Sequence, residues 1–206
     1  NCALCHFNLA YAYHENNQIE YAQESYEKAI DLDPTCSLFL EHLARLHFEN
    51  QDYLEAIRFF HRSSLIGHIQ PISLGLWGRA LFEQGLYEQS IETFEHLLER
   101  EQQPTIFAGA NYWLALANLK LKRVAASRQI TNKLLKHQNV DHKLLCELGE
   151  HFIEAKCLSI AKKIFESVAI QKEEEILVRL RLDDIKSIEK QIDEMLPKLF
   201  DGDEER

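Results

Sequence analysis

Glycine and proline are scarce, with 7 and 4 residues in a chain of 206. Sheets stitched together by many tight turns need more, so long uninterrupted elements and a mainly helical chain are expected. The same shortage leaves little material for phosphate-cradling loops. Neither G-x-x-x-x-G-K nor G-x-G-x-x-G occurs, and G-x-S-x-G is missing as well, so catalysis is not expected. Positive charge is short too: 23 Lys and Arg stand against 33 Asp and Glu, a formal net charge of -10. No local basic patch offsets it, and nucleic acid and anionic lipid are therefore not expected partners. No apolar run reaches the roughly 18 residues of a membrane span, and no basic-then-apolar leader precedes the first helix, so membrane insertion is not expected. The 5 cysteines are an odd number spread thinly along the chain. That differs from the dense even framework of a small secreted domain and points to a reducing, intracellular setting.

One short pattern argues for a cofactor. Cys2, Cys5 and His6 spell C-x-x-C-H, in which two thiols take up the haem vinyl groups and the imidazole becomes an iron ligand. For zinc, a lone C-x-x-C lacks the second pair that makes such a site strong, and the ten histidines are scattered with no H-E-x-x-H among them. Met195 is the only methionine and lies at the other end of the chain. The expectation is no cofactor and no metal, with Cys5 and His6 on a packing face of the first helix.

What the chain does have is self-similarity. Residues 7–34, 41–68 and 75–102 repeat at an offset of 34; 112–139 follows after 37 and 146–173 after 34 again. Stacked, the copies give coherent columns. One is large and apolar: Leu9, Leu43, Trp77, Leu114 and Leu148. Its neighbour is small throughout: Ala10, Ala44, Gly78, Ala115 and Gly149, as two closely crossing helices require. A second small column holds Ala22, Ala56, Ser90, Ser127 and Ala161, and one helical turn later come Tyr26, Phe60, Phe94, Thr131 and Phe165. Each copy therefore reads as two amphipathic helices. Short polar turns such as Asn16-Asn17, Gln84-Gly85 and Lys156-Cys157 permit only an antiparallel hairpin. Pro34 and Pro104 are expected to close two of the units, and Pro71 to open the third.

These columns resemble the tetratricopeptide repeat: the period of 34, Leu9-Ala10 followed by Tyr13, and then Ala22, Tyr26, Ala29 and Pro34. The fourth copy is the weakest match, with Asn118 and Thr131 where aromatics are usual. The resemblance implies an all-α, right-handed superhelical solenoid of about five helix pairs over residues 1–173, with repeats at about 3–36, 37–70, 71–104, 108–141 and 142–173. It also implies a protein-interaction scaffold, with the first helix of each pair lining a concave groove for a peptide or partner helix. The alternative is a structural subunit packed permanently through its ends and convex face into a larger assembly. Oligomeric state stays open.

By that resemblance, positions 2, 5, 9, 12 and 13 of each repeat face the groove. They place Tyr11, Arg45, Phe48, Glu49, Arg79, Phe82, Glu83 and Tyr112 there. Arg can fork a carboxylate or stack on a ring; equally, these arginines can pair with the glutamates of their own helices in a solvated ladder. Repeats that clamp the C-terminal carboxylates of heat-shock chaperones carry Lys and Asn where this chain has Phe7 and Tyr11. They carry Asn, Lys and Arg where it has His42, Ile72 and Leu76, so a co-chaperone of that kind is disfavoured.

Residues 174–200 are not a sixth copy. Ile185, Ile188, Ile192 and Met195 form one helical stripe, which reads as a helix capping the last repeat. The acidic tail 201–206 reads as disordered. Helix one lacks a polar N-terminal cap, and the sequence starts at Asn1, which together predict an excerpt of a longer array.

Overall fold

The computed structural model describes residues 2–101, 103–137, 140–171 and 176–200. Among them the only regular elements are helices, in the order α1 (Ala3–Glu15), α2 (Ile19–Leu32), α3 (Ser37–Glu49), α4 (Tyr53–Ile66), α5 (Pro71–Glu83) and α6 (Tyr87–Arg100). They continue with α7 (Pro104–Lys120), α8 (Val124–Lys136), α9 (His142–Glu154), α10 (Leu158–Gln171) and α11 (Ile176–Phe200). The fold class is all-α, a helical-repeat solenoid. The chain divides into two compact units, Asn1–Leu121 and Lys122–Arg206.

Each hairpin turn is made in the same way. Asn17, Gln51, Gly85, Lys122 and Lys156 all have φ between 57 and 75° and stand at the offsets of the sequence repeat. In four of the turns the next N–H reaches back to a carbonyl of the preceding helix: Gln18 to Tyr13, Asp52 to His47, Leu86 to Leu81 and Cys157 to Phe152, at 2.8–2.9 Å. That bond and the left-handed residue before it close a helix end as a Schellman motif does. Only one of the five is glycine, so four turns hold a side chain in a conformation that costs roughly 1–2 kcal/mol.

In the first unit α1 packs on α2, α3 on α4 and α5 on α6, and the odd-numbered helices also touch in sequence, α1 to α3, α3 to α5 and α5 to α7. The small and aromatic columns meet as the pattern requires. A methyl group added at Gly78 would stand 2.7 Å from Cζ of Phe94, so only a hydrogen fits under that ring. Tyr26, Phe60 and Phe94 are fully buried, each worth about 1.5–3 kcal/mol of transfer free energy. In the second unit α9 packs on α10 and α10 on α11. Gly149 lies 2.7 Å, from its missing Cβ, to Cζ of Phe165.

Several sequence expectations change. Pro104 does not close a helix; it is the first residue of α7, where a missing N–H costs nothing. That helix runs 17 residues against 13 for α1, α3 and α5, and the extra turn accounts for the offset of 37. The polar residues of the fourth copy are buried and satisfied within their own helices. Asn118 Nδ2 donates to the Leu114 carbonyl at 2.8 Å, and Thr131 Oγ1 to that of Ser127 at 2.9 Å. The stripe of α11 is shifted: Val178 and Ile185 are buried, whereas Ile188 and Ile192 are exposed. Lys162 and Arg181 tie this helix to α10 and α9 through Glu189 and Glu150, at 2.8 and 2.7 Å. The Met195 side chain and the tail 201–206 lie outside the described residues.

The opening C-x-x-C-H also departs from expectation. Cys5 is exposed and His6 half-buried, because α1 packs through its Phe7, Ala10 and His14 side and Cys5 points away from it. Helix one does have a polar cap: Cys2 Sγ accepts from the Cys5 N–H at 3.3 Å. That bond holds the Cys2 thiol below its usual pKa, and the Cys5 thiol, beside Cys2, is shifted up. Among the described residues no three His, Cys, Asp or Glu side chains are grouped to hold a metal ion. No described helix is long and apolar enough to cross a membrane.

Candidate functional site

The helices α1, α3, α5 and α7 lie side by side within one unit, and a continuous line of side-chain contacts runs across them. It starts at Tyr11, an exposed ring set edge-on to His42 of α3 with centroids 5.8 Å apart. Three residues further along α1, the buried His14 places Nε2 2.8 Å from Glu49 Oε2. Arg45 donates from Nε to the other oxygen of the same carboxylate at 2.7 Å. Glu49 thus bridges two helices.

The electrostatics follow from that bridge. Partial burial alone would raise the Glu49 carboxyl, but hydrogen bonds from Arg45 and His14 outweigh it and hold the group below the usual carboxylate range. The hydrogen bond to Glu49 in turn raises Arg45. Burial, helped by the positive charge of Arg45 and by His14, pushes His42 down, so this imidazole is neutral at neutral pH.

One repeat along, the equivalent arginine behaves differently. The Arg79 guanidinium lies between two rings, 5.1 Å from the centroid of Phe48 on α3 and 5.0 Å from that of Trp113 on α7. Its Nε is buried without a hydrogen-bond partner among the described residues. The position that supplied His14 to the Glu49 bridge is occupied in the next copy by Phe48, which offers a π face and no acceptor. Phe82 continues the line, edge-on to Trp113 at 5.1 Å and to Tyr87 at 5.2 Å. Phe48 meets Tyr53 in the same manner at 5.5 Å, so both phenylalanines also brace the hairpin turn behind them. Glu83 is exposed at the rim.

Tyr112 is placed elsewhere than the groove expectation had it. It is buried, and the half-exposed ring on α7 is its neighbour Trp113, edge-on to it at 5.2 Å. The same turn inward holds at the equivalent position of other copies. Phe7 stacks on Phe39 at 5.0 Å, and Glu41, 3% exposed, accepts from the Gln70 N–H at 3.2 Å and from Ser63 Oγ at 3.5 Å. The next position is half-buried instead, with His42, Leu76 and Trp113. Sequence reasoning weighed His42 and Leu76 only against the chaperone-binding pattern and left Trp113 out, although the chemical variety of the column was the signal, since packing columns are uniform.

Beside Arg79 the wall between α5 and α7 opens into a cavity of about 210 Å³, lined among others by Gly75, Leu76, Leu97, Gly109 and Trp113.

Comparison with known proteins agrees with the repeat pattern. Two family models, each described as a tetratricopeptide repeat, match residues 3–36 and 76–139. Tetratricopeptide repeat protein 13 of Homo sapiens is 32% identical over 84 residues, which are 41% of this chain and 10% of that protein. The chain thus spans about a tenth of the length of that relative. Among solved structures, MamA superposes with a TM-score of 0.73 at 14% identity, covering 84% of this chain and 92% of that one. YrrB, described as a TPR protein with an unusual peptide-binding site, superposes with a TM-score of 0.65 at 15% identity over 85% of this chain and 89% of its own. At such identities the likeness concerns the fold.

Proposed function

This chain belongs to the tetratricopeptide-repeat family, and from that premise we propose that the face of α1, α3, α5 and α7 is a groove that binds a peptide or helix of a protein partner. The observation that carries the reading is the Phe48–Arg79–Trp113 stack. It holds a cation of α5, half-buried and without a carboxylate partner among the described residues, between aromatic rings contributed by the two flanking helices, α3 and α7. Desolvated arginine and aromatic side chains clustered at one place are what binding hot spots are made of. Arg45 is less available, because Glu49 already occupies it.

The partner is a protein, in keeping with the family; scaffolding, not catalysis, is its usual role. The test is affinity for a partner captured from source lysate, measured by calorimetry across Arg79→Ala, Phe82→Ala, Arg45→Ala and the control Glu92→Ala. Arg79→Ala should cost about 2 kcal/mol or more, Arg45→Ala less, and Glu92→Ala nothing measurable. If all four bind alike, the recognition surface lies elsewhere on the chain.

A second reading, a subunit packed through one end into an assembly, is favoured by Leu4 and Leu9 of α1, which are 57% and 46% exposed. Leu43, Leu114 and Leu148 in the column of Leu9 are buried. Under that reading the four variants above would bind alike, while Leu4→Lys and Leu9→Lys would release the partner.

A further inference from the structure

Two glycines carve the cavity between α5 and α7, and neither is demanded by packing. An added Cβ at Gly109 would meet nothing within 4 Å, and one at Gly75 would reach only Leu97 Cδ2, at an ordinary 3.8 Å. Both lie inside helices, where glycine costs roughly 1 kcal/mol relative to alanine. Gly78, three residues on, is the contrast: the Phe94 ring explains it entirely. The empty space beside Gly75 and Gly109 is about 210 Å³, more than the roughly 150 Å³ apolar cavity that takes up benzene in a protein core. Its walls are apolar apart from Arg79. That guanidinium has no carboxylate partner among the described residues, and its Nε is without a hydrogen bond. The two repeat-equivalent arginines differ on this point, since Glu49 neutralises Arg45.

We propose that this cavity is a side-chain pocket for a partner segment carrying a Leu- or Phe-sized apolar residue with an Asp or Glu within one helical turn of it. The apolar side chain enters between Gly75 and Gly109, and the carboxylate meets Arg79 at the pocket edge, supplying the charge that Glu49 supplies to Arg45. Arg79 is held for that contact by the rings of Phe48 and Trp113, so little rotamer freedom is lost on binding. The proposal rests on the groove reading above and adds to it the chemistry of the occupant.

The test uses a random-peptide phage library selected on the whole chain, followed by titration of the enriched peptides as labelled synthetic peptides. Titrations run against wild type, Gly109→Leu, Gly75→Leu, Arg79→Gln and Tyr11→Ala, with the thermal midpoint of each variant recorded. The expected peptides share an aliphatic or phenyl side chain near an acidic residue. Filling the pocket from either wall should weaken them about tenfold or more without lowering the midpoint. Arg79→Gln should weaken them by about tenfold, and most of that difference should disappear in about 1 M salt. Two glycine variants are included so that one misfolded protein does not decide the result. Peptides that lose affinity in Tyr11→Ala but bind both glycine variants as wild type overturn the pocket and leave the groove standing. Peptides indifferent to all four variants, or a selection that enriches none, overturn the groove reading and the pocket with it.

Discussion

At the α1/α3 junction the polar groups close on one another: His14 and Arg45 share the Glu49 carboxylate at 2.8 and 2.7 Å. One repeat along, Arg79 of α5 stacks between Phe48 of α3 and Trp113 of α7, and a cavity remains open beside it at the α5/α7 junction. The two arginines hold the same repeat position, but the preceding copy sets His14 beside one and Phe48 beside the other, and the following copy supplies Leu76 in one case and Trp113 in the other. The lesson is that a repeat supplies positions, while whether a position is spent on internal pairing or left for a ligand depends on its neighbours in adjacent copies.

The largest test of that contrast is truncation of the rings. Trp113→Ala removes the surface shared by Arg79 and Phe82 and should cost about 2–3 kcal/mol in urea unfolding, just below the range for a fully buried aromatic. Tyr11→Ala, at the exposed edge of the closed junction, should cost less than about 1 kcal/mol. Equal losses would mean that the two junctions are not built differently.

Next come the glycines. Gly78→Ala forces a methyl against the Phe94 ring and should destabilise by about 1–2 kcal/mol. Gly109→Ala meets nothing and should stabilise by about 0.5–1 kcal/mol through helix propensity. A destabilised Gly109→Ala would show that the open wall is a packing requirement after all.

The smallest expected effect concerns pH. Because the Glu49 carboxyl is depressed in the folded chain, its stabilisation is fully present above the unfolded value of about 4.3. It is lost as pH falls through the lower folded value. Both Arg45 and Glu49 are more than a third exposed, so solvent screening limits the contribution to about 1 kcal/mol or less. Urea midpoints at about pH 6 and pH 3 should show wild type losing more than Glu49→Gln, and an identical loss would remove the bridge from the account.

The columns of the sequence determined the helices, their pairing within α1–α6, the Gly78–Phe94 and Gly149–Phe165 contacts and the family. Each of these is a local periodicity repeated until chance agreement is excluded. The same columns put Tyr11, Arg45, Phe48, Arg79 and Phe82 on the first helices of their copies; that they share a groove was what the family resemblance implied. What only the tertiary structure decided was the state of each: that Arg45 is paired and Arg79 is not, that Tyr112 is buried and Trp113 half-buried, and that Cys5 faces solvent. Pairing and exposure depend on side chains from helices about 34 residues away in the chain, and a column records what occupies a position, whereas contact depends on what the next repeat places opposite it.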